Sequence, residues 1–448
     1  MSVPAVTPLY LVDERALEGI GLSASQRRWA EANGFSGQRG KLLALPDEEG
    51  AVSAYLFGTG AEADRSPFIA GLAASALPAG EYRLAGATGD VTTAAIAFRL
   101  GAYRFDRYRK SKPGPVLVLS GEADADEVER QVTAASLARD LINTPAGDLG
   151  PDALHAFVEA FAAERGMAFS AIVGDALLEQ NFPMIHAVGR ASAQAPRLLD
   201  LRWGDETHPK VTLVGKGVTF DTGGLDIKSA AGMLTMKKDM GGAANVLGLA
   251  HTIVSAGLPV RLRVLLPVVE NAIAGNSFRP GDILRSRLGL TVEIGNTDAE
   301  GRLILADALA LADEEEPEVL LDMATLTGAA RVALGPELPA FYATDDAWAA
   351  ETVAAGLAAE DPLWRMPLYA PYDGQLASKI ADINNTGAGG FAGSVTAALF
   401  LRRFVSRAKA WMHFDIFAWA PEARPARPVG ATDQAIRAVY GALKQRFG

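Results

Sequence analysis

Residues 296–329 read NTDAEGRLILADALALADEEEPEVLLDMATLTGA, and this stretch decides the fold class. After Gly301, Leu303, Leu305, Ala306 and Leu309 recur at helical spacing, which predicts a helix over 302–313. The apolar run at 319–324 then has the length of a buried strand. Working outward, the alternation repeats. Strands are expected at 211–214, 260–268 and 410–414, and helices at 241–256, 348–359, 394–405 and 432–447. Strands alternating with helices of this length predict an α/β domain with a mixed, mainly parallel sheet covered by helices on both faces. In such sheets the ligand site lies at the carboxyl ends of the strands.

The N-terminal part reads as a smaller α/β unit. Short apolar runs at 8–12, 51–57, 81–84 and 115–119 predict strands, and 66–77 and 92–103 predict helices. A long helix is expected over 122–142, stopped by Asn143-Thr144-Pro145. The expected domains are therefore 1–145, ending in a connecting helix, and 146–448. Two or three domains suit a chain of 448 residues.

Composition narrows the chemistry. Hydrophobic residues make up 49% and charged residues 21%, enough apolar material for a large core. A net charge of −11 disfavours broad nucleic-acid binding, which needs a basic surface. The absence of cysteine excludes disulfides, thiolate metal sites and cysteine nucleophiles. Residues 1–17 carry no signal-peptide pattern and no long apolar run predicts a membrane span, so a cytoplasmic location is expected.

Three segments carry acidic residues in unusual settings. VGKGVTFDTGGLDIK, residues 214–228, places Lys216, Asp221 and Lys228 among glycines that let backbone approach a bound group. In MKKDMGGAAN, residues 236–245, Asp239 precedes a helix and taken alone reads as an N-cap. In NTDAEGRL, residues 296–303, Asp298 and Glu300 lie two apart, so in extended chain both carboxylates face one side. A helix N-terminus would favour one such acid through its dipole, but two plus Arg302 less readily. Four carboxylates (Asp221, Asp239, Asp298 and Glu300) would balance two divalent cations, and without cations they would repel and take up protons. Oxygen ligation suits Mg²⁺ and Mn²⁺ best, with Zn²⁺ and Co²⁺ also compatible. No histidine falls in these segments. His413, between Met412 and Phe414, reads as a satisfied core residue. The residues alone reach a two-metal hydrolase, with phosphoester hydrolysis still open.

The same segments resemble the signatures of the leucyl aminopeptidase family, the M17 cytosol aminopeptidases. NTDAEGRL matches that family's octapeptide without a departure. VGKGVTFDTGG, MKKDMGGAA, DMATLTGA (322–329), GAYRFDRYR (101–109), NTP (143–145) and ADINNTG (381–387) add to it. The resemblance implies a macro-like N-terminal domain, a larger catalytic domain, and a homohexamer. It implies removal of N-terminal residues, apolar ones such as Leu preferred, from peptides by a metal-bridged water.

Position by position, it makes Asp221 and Glu300 bridging ligands. Asp298 completes the more exchangeable site, and Lys216 and Asp239 the tighter one. Lys228 would stay protonated against the developing oxyanion, and Arg302 would hold a bicarbonate-like anion acting as general base. Asn296, Thr325 and Leu326 would position peptide backbone, and Met236 and Gly328 would line the first side-chain pocket. Mn²⁺ or Zn²⁺ is the expected metal. Residues 229–235 depart from the family's commonest version, which leaves side-chain preference open. Two rivals stand beside this reading: a metal-dependent phosphoesterase, and a DNA-binding or scaffold protein that has lost activity.

Overall fold

The computed structural model describes residues 6–13, 19–61, 66–86 and 89–448, so the stretch read for a signal peptide lies partly outside them. Two compact units emerge, Met1–Ser136 with Ala420–Gly430, and Leu137–Trp419 with Ala431–Gly448. The helix Ala125–Asn143 crosses from one to the other.

In the first unit β1 (Thr7–Asp13), β2 (Leu42–Pro46), β3 (Val52–Gly60), β4 (Gly80–Ala85) and β5 (Pro115–Leu117) form one sheet in the order β2-β3-β1-β4-β5. All pairings are parallel except β2 on β3. Leu9, Phe57, Phe68 and Phe98 share its main core cluster. The segment expected as one helix over 66–77 opens instead as a 3-10 turn, Pro67–Ile69. Ser66 accepts the Phe68 N–H there, and Ala70–Ala76 follows as α-helix.

The second unit contributes β6 (Ala168–Val173), β7 (Arg197–Trp203), β8 (Lys210–Gly215), β9 (Gly217–Asp221) and β10 (Arg261–Asn271). These are followed by β11 (Ile283–Arg285), β12 (Thr291–Glu293), β13 (Val319–Ala324), β14 (Ala340–Ala343), β15 (Trp364–Arg365), β16 (Ile383–Asn384) and β17 (Ala410–Asp415). The main sheet runs β15-β14-β17-β13-β8-β10-β7-β6, with β9 added beside β10. Its centre, from β17 to β10, is parallel, and β14 and β7 join antiparallel on either side. Consecutive residues 211–215 and all of β13 are buried, so both sheet faces are covered. The helices Gly241–Ser255 and Glu300–Asp313 both pack on β8. The small sheet β11-β12-β16 stands apart. No helix among the described residues is long and apolar enough to cross a membrane.

A buried ionic group ties the last helix, Ile436–Phe447, to the end of Ala125–Asn143. Asp433, fully buried, accepts from Arg139 Nε at 2.9 Å and from Arg437 Nη1 at 2.6 Å. Truncating one partner strands the other charges away from water. Asp433→Ala should cost about 3–5 kcal/mol in urea unfolding of the second unit. A loss below about 1 kcal/mol would show that these charges reach solvent.

Candidate active site

Chain topology brings the three motif segments to the carboxyl ends of the central strands. Lys216 follows β8, Asp221 ends β9, Thr325 follows β13 and Asp415 ends β17. Asp239 arrives on a 3-10 turn, Met236–Met240, just before the helix Gly241–Ser255. That helix starts hard against the sheet, since a Cβ on Gly242 would lie 2.0 Å from the Met323 carbonyl oxygen. Only glycine permits this approach, and it draws Asp239 down beside Lys216.

One oxygen each from Asp221, Asp298 and Glu300 lies within 4.8 Å of the others. Asp239 joins them through Lys216, whose Nζ is 2.8 Å from Asp239 Oδ2 and 3.0 Å from Glu300 Oε1. The Lys216 Nζ also donates to the Thr325 carbonyl at 2.9 Å. Lys228 Nζ lies 2.8 Å from Asp221 Oδ2 and also contacts Asp298 Oδ1.

Two lysines thus face four carboxylates, and the titration of the group follows from that imbalance. Burial and the charge of Asp221 push Glu300 up to about 8, and the same two causes push Asp298 up to about 6. Burial lowers both lysines, but for Lys216 the charges of Asp239, Glu300 and Asp221 outweigh it. For Lys228, Asp221 and Asp298 do so, and both ammonium groups are held well above the usual lysine range.

Glu300 is 1% exposed, yet neither of its carboxylate oxygens accepts a hydrogen bond among the described residues. A buried carboxylate without hydrogen bonds, close to two others, is the donor arrangement that hard divalent cations complete. The residues present therefore fit such cations.

Arg302 lies two residues along the same helix and is 8% exposed. Its Nη1 donates to the Asn385 carbonyl at 2.6 Å, while Nε has no hydrogen-bond partner. Burial lowers the guanidinium to about 10 against the opposing charges of Glu300 and Asp415. Asn296 accepts the Asp298 N–H at 2.7 Å through Oδ1, which turns that carboxylate. Thr325 Oγ1 donates to Asp239 Oδ1 at 2.9 Å, and the Leu326 N–H donates to Asp415. Met236 and Gly328 are linked to this group by the chain alone, through the turn that carries Asp239 and through Thr325.

Three expectations need correction. Asp239 does not cap the helix Gly241–Ser255, whose N-cap is Met240 with no side-chain bond. Its carboxylate turns inward because Lys216 and Thr325 offer stronger partners. Asp298 and Glu300 do not lie on extended chain. The helix begins at Glu300 rather than at Arg302, so the convergence of the two acids comes from a turn. His413 is only half satisfied: Nδ1 is 2.6 Å from Asp322, and the buried Nε2 has no partner.

The supporting residues were not singled out from the sequence. Asn271, opposite Asp221 in the β9–β10 register, donates Nδ2 to Asp221 Oδ1 at 2.8 Å. Asn385, just after β16, accepts the Gly295 N–H at 2.8 Å and donates to the Asn296 carbonyl at 2.7 Å. Asp415 receives the Leu326 and Thr327 N–H groups. Asn271 and Asp415 each close a strand, a placement that could have marked them. Asn385 had only its motif.

Gly301 supplies a test of this packing. A Cβ there would sit 2.5 Å from Lys216 Cε. Gly301→Ala should push the ammonium away from Asp239 and Glu300 and lower activity about 10–100-fold, with the melting temperature little changed because a flexible side chain yields. Unchanged kinetics would mean that the position of Lys216 is immaterial.

Comparisons with known sequences and structures identify the family of the chain. A family profile described as "Cytosol aminopeptidase family, catalytic domain" matches residues 136–440, and one described as "M17 aminopeptidase, N-terminal domain" matches 8–119. A probable cytosol aminopeptidase of Leifsonia xyli subsp. xyli is 40% identical, covering 94% of this chain and 90% of its own. The crystal structure of a cytosol aminopeptidase from Coxiella burnetii superposes with a TM-score of 0.94 at 45% identity, covering 100% of this chain and 99% of that one. The bottromycin maturation enzyme BotP in complex with Mn gives 0.90 at 33% identity over 100% of both chains. With both units matched and the relatives spanned almost end to end, the chain belongs to the M17 cytosol aminopeptidase family and is an aminopeptidase.

Proposed function

We propose that this aminopeptidase is metal-dependent and releases single residues, apolar ones such as Leu preferred, from peptides with a free N-terminus. The observation that carries the reading is the meeting of Asp221, Asp298 and Glu300 oxygens within 4.8 Å, with Glu300 free of hydrogen bonds. Asp221 and Glu300 would be shared by two divalent cations, Asp298 would serve one, and Lys216 and Asp239 the other. When bound, the cations supply Lewis-acid polarisation of the scissile carbonyl, an acidified water and an anchor for the α-amine. Mn²⁺ is the first ion to test, since BotP has been crystallised with it. Mg²⁺ suits the same oxygen donors, and Zn²⁺ and Co²⁺ are compatible with them.

The rest of the work falls to the chain. Lys216 must give up a proton that Asp239, Glu300 and Asp221 now hold on it before its amine can act as a donor. Lys228, half-buried and cationic, would stabilise the charge that the carbonyl oxygen gains. Arg302 Nε has no hydrogen-bond partner among the described residues, which supports a role in holding a bicarbonate-like anion as general base. Asn296, Thr325 and Leu326 position the peptide backbone, and Met236 and Gly328 contribute to the first side-chain pocket. The assembly is a cytoplasmic homohexamer, with the functional domain boundary at 145/146.

The test is hydrolysis of leucine p-nitroanilide and of its N-acetylated form, with chelator and Mn²⁺ add-back. Activity should vanish on chelation, return with metal, and be absent on the blocked substrate. Calorimetric titration of metal in two buffers of different ionisation enthalpy should show net proton release. Full activity in excess chelator, or turnover of p-nitrophenyl phosphate in place of the anilide, would overturn the reading.

A further inference from the structure

At the amino end of β8, remote from the carboxylate cluster, lies a cavity of about 290 Å³. β8 runs from Lys210 to Gly215, which sets Lys210 at the cavity about 20 Å along the strand from Lys216. Strand register builds its wall. Arg202 pairs with Arg263 across β7 and β10, and Arg261 pairs with Lys210 across β10 and β8. Paired residues share a sheet face, as do residues two apart on one strand. Four cationic side chains therefore rise from one face at one end of the sheet, in a chain whose net charge is −11.

Like charges directly opposite one another destabilise a sheet. In the first row this is offset by carboxylates. Arg263 Nη2 is 2.7 Å from Asp200 Oδ2, and Glu315 Oε1 is 2.8 Å from Arg202 Nη2 and 3.1 Å from Arg263 Nη1. The second row has no direct ion pair among the described residues, although the charge of Arg261 acts on Glu315 at longer range. Lys210 Nζ donates to the Glu315 backbone carbonyl at 2.6 Å, and the Arg261 side chain makes no hydrogen bond or ion pair among the described residues. Beneath this row Arg263 is 5% exposed, and its Nη1, although near Glu315, makes no hydrogen bond. Glu206, also in the lining, is exposed and has no ion-pair partner among the described residues.

We propose that this cavity binds a small phosphate-bearing anion, held by Arg261 and Lys210 over the buried Arg263. A phosphate dianion matches the two charges left without carboxylates. Its several oxygens can engage the guanidinium fork and the ammonium at once, as a single carboxylate does less well. The space exceeds that of the anion and leaves room for an attached group such as a nucleoside. The site is separate from the aminopeptidase centre and does not depend on its chemistry.

Trp203 borders the cavity, so tryptophan fluorescence serves as a secondary readout beside calorimetry. The experiment titrates inorganic phosphate, and separately AMP, into Mn²⁺-loaded protein at low ionic strength, by fluorescence and calorimetry. Saturable binding is expected, weakened at least about tenfold in Lys210→Ala/Arg261→Ala and in Arg261→Glu. The leucine p-nitroanilide rate without added anion should be unchanged in both variants. Binding should persist in Asp298→Ala, which alters only the carboxylate cluster. AMP binding about as tightly as phosphate identifies inorganic phosphate as the ligand, and AMP binding at least about tenfold tighter identifies a nucleotide. No saturation up to about 10 mM, undiminished binding in both cavity variants, or loss of binding in Asp298→Ala would overturn the proposal.

Discussion

Replacing Glu300 with alanine lowers kcat/KM for leucine p-nitroanilide by at least about a thousandfold, the equivalent of roughly 4 kcal/mol of transition-state stabilisation. The protein should stay folded, for a structural reason. Lys216 keeps its contact with Asp239 at 2.8 Å and its bond to the Thr325 carbonyl at 2.9 Å, so no buried ammonium is stranded. What disappears is a buried carboxylate whose two oxygens lack hydrogen-bond partners among the described residues and which lies near both lysine-linked halves of the cluster. Metal content by elemental analysis should fall together with the rate. Glu300→Gln, which keeps the shape and removes the charge, should behave alike. Asp298→Ala should also abolish turnover, because it removes a second member of the same cluster and one of the two carboxylates that hold Lys228. Wild-type rates in Glu300→Ala would remove the basis for assigning the site.

The second large effect is expected at Lys228. Lys228→Ala should reduce kcat about 100- to 1,000-fold and leave KM within about threefold, since a charge aimed at a developing oxyanion acts mainly in the transition state. The group is suited to this role because Asp221 and Asp298 outweigh the effect of burial and keep it cationic throughout the neutral range. Its truncation does not open the core, as the side chain is partly exposed at the site. Steady-state kinetics on the metal-loaded protein separates the outcomes. A raised KM with unchanged kcat would reassign Lys228 to substrate binding, and Lys228→Arg should recover only part of the rate because a planar fork cannot replace a point charge.

Much of the molecule could be read before any coordinates. Strands with one continuous apolar run, β8, β13 and β17, were legible because both of their faces are buried and no alternation is needed. Strands at the sheet margins, β6, β7 and β14, were not, since their mixed polarity follows from neighbours the sequence does not name. β2 was masked by its brevity and its terminal proline. The motifs of the candidate site were legible as residue types, and NTDAEGRL was enough to suggest the family.

By itself the sequence determined the α/β class, the absence of thiol chemistry, and which acids and lysines were available. Those properties reside in composition, in periodicity, and in short motifs. Tertiary structure alone decided that Asp239 turns to Lys216 instead of capping its helix, and that Asn271, Asn385 and Asp415 hold the acids and the loop after β13 in place. It alone decided that four cations with no common motif line up across β7, β10 and β8. The physical reason is the same in each case. Charges and hydrogen bonds act through a few ångströms of space, and strand register brings together residues that are tens of positions apart along the chain.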